Sequence, residues 1–143
     1  MMRATDAPWH GRAAMVTLYE LLGDDRILRL VDRFYAVMDS DPSLKLLRDL
    51  HPPDLTRPRE RLYLFLVGWT GGPQTYTERF GHPMLRARHL PFPIGDDAAI
   101  QWMTCMSQAL EETIDDVEAR TAFEKALARM ALHMRNREDP PAS

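Results

Sequence analysis

What the chain has little of narrows its class. Cys105 is the only cysteine among 143 residues, so no internal disulfide can form, which fits a reducing compartment. No stretch approaches the ~20 apolar residues of a membrane span. The opening MMRATDAPWHGRAAM has no continuous apolar core of signal length. A soluble, cytoplasmic protein with no membrane partner is expected. Neither sign of charge dominates: 18 basic and 21 acidic residues give a formal net charge of -3, and the basic ones gather on no stripe. Nucleic acid is therefore not an expected partner, because a phosphate backbone calls for a concentrated positive face. There is no phosphate loop, no Cys–His nucleophile pair, no serine triad pattern, and no flavin or nicotinamide motif. His51, His82 and His89 are too scattered for a standard zinc signature.

What is present is helical. At 143 residues and 45% hydrophobic, the chain suits one folded core and hardly two. Residues 1–14, with Pro8, Trp9 and Gly11, read as an N-terminal tail, 15–135 as the domain, and 136–143 as a polar, proline-bearing C-terminal tail. A weak helix over Val16–Leu22 is broken by Gly23, and Asp24 is placed to cap the next helix. That helix, Asp25–Met38, carries Ile27, Leu30, Val31, Phe34, Val37 and Met38 at spacings of three and four. Leu44–Leu50 allows short helical turns, and His51-Pro52-Pro53-Asp54 is rigid loop. Thr56 is placed to cap a third helix with Pro58 in its first turn, where a missing amide costs little. Gly71-Gly72-Pro73 ends it, and a short helix follows over Gln74–Phe80. A long helix over Asp97–Ile114 shows a stripe of Ile100, Met103, Ser107, Leu110 and Ile114, with Trp102, Met106 and Ala109 beside it. The last helix, Val117–Met134, presents Phe123, Ala126, Leu127, Met130, Ala131 and Met134. No strand pattern competes, and the fold class is all-α with helices packed across one another.

The stretch Gly81–Ile94, GHPMLRARHLPFPI, organises the rest. A helical turn over Met84–Arg88 presents His89, and Pro91 and Pro93 then stop it. Together with Phe34-Tyr35, the run Glu60–Trp69 followed by Gly71-Gly72-Pro73, Thr75-Tyr76 and Trp102, this stretch resembles the second group of the truncated hemoglobins. The resemblance covers Val16 to Met134. It implies the shortened globin fold, two helices over two, around a heme b. There is no CxxCH, so the heme would be held non-covalently.

The resemblance assigns His89 as proximal iron ligand, with its other ring nitrogen expected on a carbonyl such as that of Leu85. Tyr35 and Trp102 are the distal hydrogen-bond donors it implies, and His51 faces the ligand from the loop after the second helix. Pro58 falls where many globins carry a distal histidine. Leu62, Phe65 and Leu66 would line the distal side, and Phe34, Met84, Leu85, Phe92, Ile94 and Met106 the porphyrin wall. Arg88 and Arg61 are placed to meet the propionates. Arg86 and His82 are read as structural, closing the loop around Gly71–Phe80, and Cys105 as a buried, inert thiol. Trp69-Thr70 departs from relatives, which often have an aromatic followed by tryptophan before the two glycines.

The implied function is binding of oxygen and other diatomic ligands, with peroxide or nitric-oxide chemistry open as enzymatic activity. Turnover would need electrons from a separate reductase. The alternatives are a sensing or storage globin without turnover, and a heme-free helical interaction module. A homodimer through exposed faces of the long helices is compatible with the pattern.

Overall fold

A computed structural model describes residues 17–138. The N-terminal tail, with Trp9, and residues 139–143 lie outside the described residues. Those described form seven α-helices and one 3-10 turn: α1 (Leu18–Ser40), the turn Pro42–Leu44, α2 (Lys45–Asp49), α3 (Thr56–Trp69), α4 (Thr75–Phe80), α5 (Leu85–His89), α6 (Asp96–Thr113) and α7 (Val117–His133). No strand occurs among them. The long helices pack as crossed pairs: α1 lies against α3 and α6, and α6 against α7. No helix among the described residues is long and apolar enough to cross a membrane.

Helix α1 is two segments joined at Gly23, whose φ of 73° lies in the left-handed region. The predicted break is there, but the chain turns within one residue and both segments share the core. Thr17 caps the first segment by accepting from the Glu20 amide. Asp24 does not act as the expected cap; its carboxylate accepts a 2.7 Å bond from the Tyr19 hydroxyl. The start of α3 also departs from expectation. Thr56 donates its amide to Asp54 Oδ1 at 2.9 Å, so the carboxylate before the helix satisfies its first turn.

The Gly71-Gly72 corner ends α3 because it must touch α1. The Tyr19 amide donates to the Thr70 carbonyl at 2.9 Å. A Cβ on Gly72 would stand 2.7 Å from the Tyr19 ring, and one on Gly71 2.9 Å from Thr17 Cβ.

Helix α6 buries most of its expected stripe, Leu110 and Ile114 fully and Met103 and Ser107 in part, but not Ile100. Ile100 is 61% exposed, while Ala98, Ala99, Cys105, Met106, Ala109, Leu110 and Thr113 are buried. Four of these are small, and small side chains let α1 approach closely; a stripe chosen by hydrophobic bulk misses that face. Cys105 is fully buried and donates to the Phe34 carbonyl at 3.0 Å. Burial pushes its thiol up to about 12. Phe123, Ala126, Leu127 and Ala131 of α7 are buried as expected, with Met130 and Met134 half-buried.

Candidate functional site

His89 is the last residue of α5, and the chain cannot continue as helix through Pro91 and Pro93. Its Nδ1 lies 2.6 Å from the Leu85 carbonyl. A carbonyl can only accept, so Nδ1 carries the proton and Nε2 keeps its lone pair. His89 is half-buried, with the Phe92 ring 6.4 Å from its own, and Met84, Leu90 and Phe92 near it in the chain are 63%, 54% and 44% exposed. Met84 itself stands in the left-handed region at φ 42°, an unusual place for a side chain of that length, and it starts α5.

His51 follows α2 and is set by the same local device. Its Nδ1 is 2.9 Å from the Leu47 carbonyl, again leaving an Nε2 lone pair. Arg48 holds the loop in place, bonded to Asp39 Oδ1 at 2.8 Å and to the carbonyls of Pro52 and Pro53 at 3.0 and 2.9 Å. Burial lowers the His51 pKa below its usual 6.5; the bond to Leu47 opposes this, and the charges of Arg48 and His89 add to the lowering. His51 therefore takes up a proton less readily than a free imidazole, and with Nδ1 on Leu47 its Nε2 is left as an acceptor.

Phe34 and Tyr35 sit in the second segment of α1. Phe34 is fully buried and contacts both Tyr35 and Trp102, with ring centroids 5.0 and 5.4 Å away. The Tyr35 ring stands 5.9 Å from that of His51. Tyr35 is 4% exposed, and its hydroxyl has no hydrogen-bond partner among the described residues. Burial raises its pKa far above the usual phenol value, so it stays a donor. The indole N–H of half-buried Trp102 likewise has no partner among the described residues. A buried unpaired donor costs roughly 1–3 kcal/mol, which makes Tyr35 a group waiting for an acceptor.

The structure thus brings Tyr35, His51, Phe34 and Trp102 into one connected cluster. Leu66 and Met106 are fully buried and Ile94 is buried in the turn before α6, while Leu62 and Leu85 are half-buried. Phe65 points elsewhere, stacking on Trp69 at 5.9 Å and meeting Tyr76 edge-on at 6.0 Å. It lines a cavity of about 780 Å3 shared by α3, α4, α5 and α7, together with Met84 and Leu85. None of Tyr35, His51, His89 or Trp102 lines that cavity.

The arginines divide their work differently from expectation. Arg88 closes the loop after α4, donating to the carbonyls of Phe80 and His82 at 2.8 and 3.0 Å. Arg86, expected there, reaches the Arg135 carbonyl at 3.2 Å instead. The Arg61 guanidinium lies 4.6 Å over the Phe80 ring. Two anchoring residues went unread in the sequence: Arg48, and Asn136, assigned to the tail, whose side chain bonds to the His89 turn.

Residues 17–136 match the family model of the bacterial-like globins. The chain belongs to the bacterial-like globins. Within that family it is a truncated hemoglobin of the second group, and its crossed helix pairs are the two-on-two globin sandwich. This globin is 41% identical over 121 residues to the group 2 truncated hemoglobin YjbI of Bacillus subtilis, covering 85% of this chain and 89% of the relative. It superposes on the cold-adapted truncated hemoglobin of Pseudoalteromonas haloplanktis with a TM-score of 0.84 at 40% identity, over 86% of this chain and all of the other. It is similarly close to the truncated oxygen-avid haemoglobin of Bacillus subtilis, with a TM-score of 0.78 at 41% identity, over 85% of this chain and 100% of that one.

Proposed function

We propose that the globin is a heme b protein that binds oxygen and other diatomic ligands, with His89 as the proximal ligand and Tyr35 and Trp102 as the distal donors. The residues present suit the group. With Nδ1 on the Leu85 carbonyl, His89 has Nε2 left over at the end of α5, exposed apolar residues lie before and after it in the chain, and the buried Tyr35 phenol has no partner among the described residues. Heme iron, when bound, supplies the site at which a diatomic ligand coordinates.

The chain's own residues do the rest. The Leu85 carbonyl fixes the His89 tautomer and strengthens its basicity. Tyr35 donates to a ligand that carries partial negative charge, and Trp102 adds a second donor. His51 keeps an Nε2 lone pair that can accept from a water, so it does not compete for the ligand as a donor, and the single Tyr35 O–H proton is left for the ligand. Phe34 buttresses both donors from behind. Leu62, Leu66, Ile94 and Met106 form the apolar wall, with Phe92 at its edge, while Phe65, Met84 and Leu85 line the cavity between α3, α4, α5 and α7. Arg61 and Arg88 have guanidinium nitrogens left over from their present contacts to meet propionates.

The observation that carries this reading is the buried, unpaired Tyr35 hydroxyl beside an imidazole whose tautomer is already chosen. Two donors slow ligand release, which makes a poor transporter. The same donors stabilise developing negative charge, so peroxide or nitric-oxide chemistry is the second reading. It needs a separate reductase, since no flavin or nicotinamide motif is present. Self-association is proposed through the outer faces of α6 and α7, where Ile100, Val117 and Leu132 are exposed. Reconstitution with hemin tests the cofactor: a Soret band saturating at one equivalent is expected, and its absence would leave a helical interaction module. Nitric-oxide or peroxide consumption with a reductant, set against the oxygen dissociation rate, separates turnover from simple binding.

A further inference from the structure

The five residues after α5 that lead into α6, Leu90–Ile94, include two prolines and so carry only three amide hydrogens. The Leu90 amide reaches the Ala87 carbonyl at 3.3 Å and the Phe92 amide the His89 carbonyl at 2.9 Å. The rest of this turn's bonding comes from one residue past the end of α7. Asn136 Nδ2 donates to the carbonyls of His89 and Phe92 at 3.2 and 2.9 Å. Its Oδ1 accepts from the Ile94 amide at 3.1 Å, and its own amide donates to the Ile94 carbonyl at 2.8 Å. The amide can face only one way here, because two carbonyls need a donor and one N–H needs an acceptor. The neighbouring Arg135 extends the tie. Its Nη1 meets Asp96 Oδ1 at the start of α6 at 2.6 Å, and its carbonyl accepts from Arg86 of α5.

We propose that Asn136 is the positioning residue of His89: it latches the end of α7 to the backbone of the ligand and its following turn, so that the direction and height of the imidazole are set from outside α5. The Leu85 bond fixes rotation of the ring, but α5 is five residues long and has no buried residue of its own. So short a helix does not hold its own backbone, and a fixed ring on a mobile backbone is not a fixed ligand. The latch supplies what the helix lacks. This inference rests on His89 being the proximal ligand.

The test uses the full chain, with and without heme, carrying Asn136→Ala. Asn136→Asp keeps the acceptor for Ile94 while losing both donors, and serves if the alanine variant does not fold. Arg137→Ala, an exposed neighbour with no described partner, is the control. Two quantities are read: amide exchange at Phe92 and Ile94, and the ferrous iron–histidine stretching band by resonance Raman. Expected in either Asn136 variant is exchange about tenfold faster at the turn, with α1 unaffected, and a stretching band that shifts and broadens; the control changes neither. An unchanged, equally sharp band overturns the proposal even if exchange quickens, since that is a structural role alone. If native protein shows no such band, the proximal assignment fails, and the proposal with it. Faster exchange in the heme-free variants would then still report the contact, so the two failures are told apart.

Discussion

His51 and His89 are held by one device. Each ring gives its Nδ1 proton to the carbonyl four residues earlier, Leu47 at 2.9 Å and Leu85 at 2.6 Å, and each keeps an Nε2 lone pair. One sits at the end of a helix stopped by prolines, the other after α2 and before Pro52-Pro53. The His51 ring, so held, stands 5.9 Å from that of Tyr35.

The lowered pKa of His51 links stability to pH. Its folded form binds a proton less readily than the unfolded chain, so the stability it contributes is present above about 6.5 and falls away as pH drops below that value. Thermal melts of the heme-free globin should show a melting temperature that declines from pH 7 toward pH 5, with a shallower slope in His51→Gln. Equal slopes would mean that other groups carry the dependence.

Tyr35→Phe separates binding from folding. The hydroxyl has no partner among the described residues, so the heme-free variant should be as stable as the native chain or more stable by about 1 kcal/mol. Oxygen should leave the heme-loaded variant about tenfold faster, as expected for loss of one hydrogen bond to a polarised ligand. Stopped-flow dissociation and denaturant melts measure the two effects. A large loss of stability with an unchanged rate would make Tyr35 a plain core residue.

Gly72→Ala should destabilise the fold by about 1–3 kcal/mol, because the new Cβ would meet the Tyr19 ring and either α1 or the corner must move. Urea denaturation gives the number. A neutral substitution would show that the Tyr19 ring swings aside freely.

Cys105 should resist thiol reagents in the native globin and react at once in denaturant. Its Sγ is fully buried on the Phe34 carbonyl and its pKa lies near 12. Rapid labelling of folded protein would place the thiol at a mobile site.

Much of this was legible in the residues. Apolar spacing marked the long helices to within a residue or two, and Gly23, Gly71-Gly72 and Pro91 marked their breaks. The Leu85 acceptor followed from helical spacing alone. What stayed hidden depends on contacts far apart in sequence. Hydrophobic bulk points to Ile100 as internal, yet it is exposed while the small Ala98, Ala99, Cys105 and Ala109 are buried. Arg86 and Arg88 both reach backbone carbonyls, and only the fold says which. Asn136 is 47 residues from His89, and a polar residue before a proline-bearing end has no periodicity to betray its role. The His51 tautomer needed the Leu47 carbonyl in view before its acceptor character could be seen.

The most direct measurement is the absorption spectrum of ferrous, hemin-reconstituted protein, native against His89→Gly. The native globin should give a five-coordinate histidine spectrum, and the variant should lose it and regain it when imidazole is added. The same spectrum in both proteins would contradict the assignment of iron to His89.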